Sequence, residues 1–279
     1  MSIELTPSTS RTTKTRSKDS EIQRAISKLI PVSQIDEKLK MVVYSRNKVG
    51  KTRFACSSDL KTLLIDCNEK GFASVRKQKN VIAYPMVRWE DLDPIYWYLR
   101  GGDHDFEVVV IDTITMLATL GMKWVLKDDV ERDFNRDPMT PDKRSWGKLG
   151  EMMKDAIIRF RNLDMNVIFL AQEKTTNSED EDGGAVQETH PELSPAPRSV
   201  LLSSVGVIGR MYSRETETTE GKKTMERRML LGSHPKFVAG NRYDELKYVE
   251  RIPKEGALQG FLERIGAVKK ENTSVTSAS

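Results

Sequence analysis

The chain has 279 residues, with 45 Lys or Arg against 41 Asp or Glu, and a formal charge of +4. That length suits one large domain, or one domain with mobile ends, and so small a charge does not by itself argue for nucleic-acid binding. Cys56 and Cys67 support neither a disulfide framework nor a zinc site and read as buried thiols, while His104, His190 and His234 lack metal-ligand spacing. No apolar run reaches about 18 residues and no apolar signal region opens the chain, so a reduced, cytoplasmic protein without a membrane span is expected.

Residues 1–19 are rich in Ser and Thr and carry Arg11, Lys14, Arg16 and Lys18. They offer too little apolar surface to fold and read as a basic disordered tail, or as an arm for a neighbour or for phosphates. Ile22, Ala25, Ile26, Leu29 and Ile30 recur at helical spacing, which predicts a helix from Glu21 to Ile30 ended by Pro31, inside a helix-and-linker region of 20–37. The main domain is expected over 38–267, with a disordered polar tail over 268–279.

Met41 to Tyr44 predicts a buried strand, and Ser45-Arg46-Asn47-Lys48-Val49-Gly50-Lys51-Thr52 a phosphate-binding loop, with Arg53-Phe54-Ala55-Cys56 opening a helix. This is the strand–loop–helix context of a P-loop. Successive backbone N–H groups and the positive helix end face phosphates there. ATP and Mg²⁺ are therefore the expected ligands. Residues Ser45 through Arg53 are expected to contact the nucleotide, Lys51 reaching the β- and γ-phosphates and the Thr52 hydroxyl holding Mg²⁺. The usual pattern opens with Gly where this chain has Ser45, which tolerates a positive φ less well.

Thr62 to Ile65 predicts a second strand, ending in Asp66-Cys67-Asn68-Glu69 on the ligand-binding edge of an open α/β sheet. A short strand is expected at Val81–Tyr84 and a helix from Trp89 to Leu99, with Trp89, Tyr96 and Trp97 read as core. Phe106 to Thr113 is an apolar run ending in Asp112, the Walker B pattern, so Asp112 is the second expected Mg²⁺ ligand. No Glu follows Asp112. The catalytic base must come from elsewhere, with Glu69 the first candidate and Asp66 the fallback.

Leu120 to Ser145 is polar and reads as a long loop. Trp146 to Leu163 predicts a helix whose Leu149, Met152, Met153, Ala156, Ile157 and Phe160 face the core. Asn166 to Gln172 predicts a further buried strand, with Gln172 set to contact the γ-phosphate or its attacking water. After it, a loop of about 25 residues is expected from Glu173 to Arg198, either a switch or a solvated insertion. Val205–Ser213 and Thr224–Leu231 alternate as an antiparallel hairpin. Arg242, after a Gly-Asn turn, is either a surface charge or a finger reaching nucleotide in its own or a neighbouring subunit.

Together these segments resemble the RecA-like P-loop ATPases of bacteriophages, and within them the Sak-type group of single-strand annealing and recombination. The resemblance covers roughly 38–250 and rests on the P-loop, Ile65–Glu69, Val109–Asp112, Trp146-Gly147-Lys148, Leu170–Glu173 and Gly240-Asn241-Arg242. It implies an α/β fold with a mostly parallel central sheet flanked by helices and a C-terminal antiparallel hairpin. It also implies a DNA-stimulated ATPase in the cytoplasm of the host cell, a ring or filament of like subunits on single-stranded DNA, and a single-strand-binding protein as a partner. Glu69 falls where the family carries its catalytic Glu. Leu120–Ser145 and Glu173–Arg198 match the loops that approach DNA. The alternatives are a nucleotide-gated DNA clamp with little hydrolysis, and another P-loop enzyme such as a small-molecule kinase.

Overall fold

The computed structural model describes residues 20–31, 38–179, 185–217 and 221–268. The chain divides into two compact units, Met1–Glu37 and Lys38–Ser279. In the first, residues 20–26 form helix α1. This is shorter than the spacing predicts. Beyond it the backbone bonds tighten, Lys28 N–H donating to Ala25 O at 3.1 Å and Leu29 N–H to Ile26 O at 3.0 Å, and Pro31 disfavours helical geometry at the residue before it. Ile22, Ile26, Leu29 and Ile30 are all exposed. The two expected tails, apart from their innermost residue Val268, and the 32–37 linker lie outside the described residues.

The second unit is built on a sheet. Its parallel strands are β1 (Lys40–Ser45), β2 (Thr62–Asp66), β3 (Val81–Pro85), β4 (Val108–Asp112), β5 (Asn166–Glu179) and β7 (Val207–Glu217). Antiparallel additions are β6 (Ala185–Pro191) on β5, β8 (Lys223–Leu230) on β7, β9 (Gly240–Asn241) on β7 and β10 (Val249–Arg251) on β8. The order is β10-β8-β7-β1-β5-β4-β2-β3. The sheet is thus mostly parallel, with an antiparallel β7-β8-β10 edge.

The strand sequences account for the layers. Apolar residues run continuously along β1, β4 and the inner half of β5, so both faces are covered there. Val42, Tyr44, Val109, Ile111, Val167 and Phe169 pack on one face against helices α3 (Leu92–Gly101), α4 (Ile114–Arg132), α5 (Lys143–Arg161) and α6 (Pro195–Ser204). Their neighbours Met41, Val43, Val108, Val110, Ile168 and Leu170 pack on the other, under α2 (Lys51–Ala55) and α7 (Ala257–Arg264). There Phe54 meets Phe261 edge-on, with centroids 5.4 Å apart.

Four expectations are corrected. Leu120–Ser145 is not one long loop: α4 reaches Arg132 and α5 begins at Lys143. Thr113 caps α4 by accepting from Met116 N, and Leu117, Leu120, Gly121 and Val125 give it a buried stripe. Asp128 and Asp129, which made the stretch look loop-like, meet Lys148 of α5. Glu173–Arg198 is also ordered, as the outer half of β5, then β6 and the start of α6; only 180–184 lie outside the described residues. Gly240-Asn241 pairs with Val207 and Ile208 as β9 instead of turning freely. Among the aromatics, Tyr96 is buried against Phe160, but Trp97 is exposed and faces the Arg100 and Arg159 guanidinium groups.

Candidate active site

All six parallel strands end at one edge, and the residues singled out there converge because of register. Ser45 stands opposite Gln172, Leu170 opposite Asp112, and Asp112 opposite Asp66. β5 lies between β1 and β4, so Gln172 sits between the P-loop and Asp112. A cleft of about 1450 Å³ opens along this edge, lined by Asn47 through Arg53, Glu69, Asp112 and Gln172.

The P-loop takes its positive φ at Lys48 (64°) and Gly50 (107°). Ser45 is the last, fully buried residue of β1 and is paired as strand. The Gly-to-Ser departure therefore asks for no left-handed backbone. Its hydroxyl instead donates to Arg46 O at 2.7 Å and accepts from Lys51 Nζ at 3.3 Å. Ser45 and Arg46 do not line the cleft: the Arg46 side chain turns out to Glu173 Oε1 at 3.1 Å. Lys51 is 7% exposed, and burial pushes its ammonium below the ordinary lysine value against the pull of Asp112 and Glu69.

Thr52 Oγ1 donates to Asp112 Oδ2 at 2.6 Å. Burial raises Asp112 to about 6; the Thr52 bond lowers it, Glu69 and Asp66 raise it, and Lys51 lowers it. A hydroxyl and one carboxylate are the hard oxygen donors that suit Mg²⁺ shared with phosphates. Among the described residues no cluster of three or more His, Cys, Asp or Glu could hold a metal alone. Gly71 closes over this pair. A Cβ built there meets Asp112 Oδ2 at 2.2 Å and Thr52 Oγ1 at 3.2 Å, so the space beside both oxygens exists only because residue 71 has no side chain. The donor set and this cradle fit a small hard cation.

Glu69 reaches the same point from the loop after β2. Its carboxylate accepts from Thr113 Oγ1 at 2.8 Å and from Gln172 Nε2 at 3.2 Å to each oxygen. Gln172 Oε1 accepts from Lys51 Nζ at 3.1 Å. Asp66, the fallback base, is 1% exposed. It accepts from the backbone N–H groups of Glu69 and Lys70 at 2.8 and 2.9 Å and of Phe72 at 3.3 Å. Asp66 thus shapes the loop that presents Glu69 and does not itself line the cleft.

Several residues in and behind the cleft carry no site assignment in the sequence analysis. Thr113 links Glu69 to the start of α4, and a Thr between a strand and a helix is a legible cap signal. Lys174 and Thr176 line the cleft two and four positions beyond Gln172, on the same face of β5, with His190 and Arg198 opposite. His190 is 1% exposed, with Arg198 Nη1 2.6 Å from its Nε2. Arg227 of β8 also lines the cleft. Arg242 does not. Its N–H donates to Gly206 O, beside the start of β7, at the amino-terminal edge of the sheet opposite the P-loop. It cannot reach the nucleotide site of its own chain.

A family model described as an AAA domain matches residues 37–243. No curated protein matches the chain by sequence. Among solved structures, the ATPase DotB of Legionella pneumophila is similar over 73% of this chain, at 7% identity and a TM-score of 0.28. The matched part spans half (50%) of that protein's chain.

Proposed function

The chain belongs to the AAA domain family, a P-loop family that implies nucleotide and usually Mg²⁺; from that premise we propose that it hydrolyses ATP and couples hydrolysis to single-stranded DNA. The observation that carries the first half is the Gln172 carboxamide, which accepts from Lys51 and donates to Glu69. Phosphoryl transfer asks mainly for positioning and neutralised charge. Lys51 contacts the β- and γ-phosphates. Thr52 and Asp112 hold Mg²⁺, which when bound spreads the negative charge on the phosphate oxygens. Glu69 takes the proton of the attacking water. A γ-phosphate competes with Gln172 for the Lys51 ammonium, so Gln172 responds to which nucleotide is bound.

The second half is supported by the continuation of β5. Lys174 and Thr176 extend the cleft face past Gln172, and Arg198 adds a further cation. A polyanion lying there would act on Gln172 through one strand. We further propose the finer reading that the resemblance implies: phage-type recombination or annealing of the Sak type, by a homo-oligomeric ring or filament working alongside a single-strand-binding protein. In such an assembly Arg242 serves the site of a neighbouring subunit, since its own is across the sheet. Equimolar mixing of Lys51→Ala and Arg242→Ala chains tests this: each alone is expected to be inactive and the mixture partly active, whereas wild-type turnover by Arg242→Ala alone, or no recovery on mixing, overturns it.

Hydrolysis with and without single-stranded DNA, using Lys51→Ala as the blank, is the deciding experiment. DNA-stimulated turnover is expected. Turnover indifferent to DNA removes the DNA half. ATP-dependent DNA binding without turnover favours a nucleotide-gated clamp, a reading to which the Thr that follows Asp112 lends weight. Phosphate appearing on an added acceptor points to a kinase, for which a cleft above the common range of roughly 300–1000 Å³ leaves room.

A further inference from the structure

The cleft is unbalanced in charge. Eight Lys or Arg side chains line it against Glu69, Asp112 and Glu192. Beside Gln172, Lys51 and Arg198 have protein acceptors. On the other side of the P-loop, among the described residues, Arg53, Arg227 and Lys254 make no ion pair. Arg227 comes from β8, two strands from β1 on the side away from β5, β4 and β2. On the same face of β8 as the buried Met229, it stands one step nearer the P-loop edge. Its guanidinium lies against Gly50, where a built Cβ meets Nη1 at 2.8 Å. Among the described residues the guanidinium makes one hydrogen bond, Nη2 to Pro253 O at 3.0 Å. Burial, and then the positive charge of Arg53, push it below the ordinary arginine value.

Two guanidinium groups lining one cleft without a carboxylate between them repel, and an anion bound there removes the penalty. We propose that Arg227, assisted by Arg53 and Lys254, clamps the α- and β-phosphates of the bound nucleoside di- or triphosphate from the β8 side. The inference rests on reading the cleft as a nucleotide site. The sheet order gives the orientation. The Mg²⁺ donors and Glu69 lie toward β4 and β2, so the terminal phosphate faces that way and the nucleoside end faces β7 and β8. Arg227 therefore grips the part that ATP and ADP share, and its loss weakens both alike. Lys51 and Glu69 act where the two nucleotides differ.

Titration calorimetry with ADP and with the non-hydrolysable triphosphate AMP-PNP, on wild type, Arg227→Ala and Arg227→Lys, tests this. Arg227→Ala is expected to weaken both ligands by about tenfold or more, as for loss of a charge-assisted hydrogen bond. Arg227→Lys, which keeps the charge without the fork, should recover part of the loss. ADP and AMP-PNP affinities within twofold of wild type in Arg227→Ala overturn the clamp and leave the nucleotide reading intact. A wild type that binds neither ligand overturns both. Should Arg227→Ala lower the melting temperature without ligand, through the lost Pro253 contact, the exposed pair Arg53→Ala/Lys254→Ala replaces it. A joint loss of affinity for both ligands is again expected, and unchanged affinity again overturns the clamp.

Discussion

Lys51 and Gln172 are joined by a 3.1 Å hydrogen bond from the ammonium to the carboxamide oxygen, and the same carboxamide holds the Glu69 carboxylate through its nitrogen. A residue on β5 therefore sets the distance between the phosphate-binding cation and the proposed base. The consequence is a separation of binding from turnover. Gln172→Ala removes hydrogen bonds to two charged groups, a loss of about 1.5–3 kcal/mol each. Steady-state hydrolysis should fall by about 10²–10⁴-fold, while ADP affinity by calorimetry stays within about threefold. An equal loss in both would mean that Gln172 is part of the binding surface and no coupler.

Glu69→Gln keeps an acceptor for Thr113 and Gln172 but cannot take a proton. Turnover should drop by about 10²–10⁴, the usual worth of a positioned general base, with the melting temperature unchanged. Asp66→Asn should do the reverse: loss of a three-donor acceptor loosens the loop and lowers stability first. If Asp66→Asn alone abolished turnover in a fully folded protein, the two roles would need exchanging.

Gly71→Ala puts a methyl group within 2.2 Å of Asp112 Oδ2. Gly71 has no positive φ, so the substitution strains the cavity and leaves the backbone choice alone. Nucleotide binding should lose its dependence on Mg²⁺, binding in EDTA and in Mg²⁺ becoming alike. Retention of a wild-type Mg²⁺ response would exclude the Thr52–Asp112 pair as the metal donors.

Asp112 titrates near 6 in the folded protein against an ordinary 3.8. Burial is the main cause, with Glu69 and Asp66 adding to it and Thr52 and Lys51 opposing it. Between about pH 4 and pH 6 the folded chain holds a proton that the unfolded chain has released. Stability without metal therefore falls as pH rises through that window, by up to about 3 kcal/mol, and stays lower above it. Thermal melts in EDTA should show this slope for wild type and not for Asp112→Asn, which should melt higher at neutral pH. Metal binding runs the opposite way and weakens as pH drops below about 6.

The sequence made the strand ends legible, because apolar runs terminating in Asp66, Asp112 and Gln172 can only be buried strands delivering polar groups to one edge. The segments between them are less legible, because charge there does not mean exposure. Asp128, Asp129 and Lys148 look like solvent-facing residues one at a time, yet they pair between α4 and α5. Lys174 and Thr176 fall inside an expected loop, although their two-residue spacing from Gln172 continues the strand. Arg227 carried no local signal. It reaches the P-loop only because β7 pairs with β1, a contact far apart in sequence.

β5 runs without a break from the P-loop's neighbour to the β6 hairpin, pairing first with β1 and β4 and then with β6. Gln172, Lys174 and Thr176 share one face of it, while Glu173 turns away to Arg46 and Arg210. The parity of the hairpin is thus the parity of the catalytic edge. Losing or gaining one residue along this strand would exchange its two sides, presenting a carboxylate where the carboxamide belongs. Length variation among descendants of this chain must therefore come in twos along β5, or be confined to the far end of the hairpin.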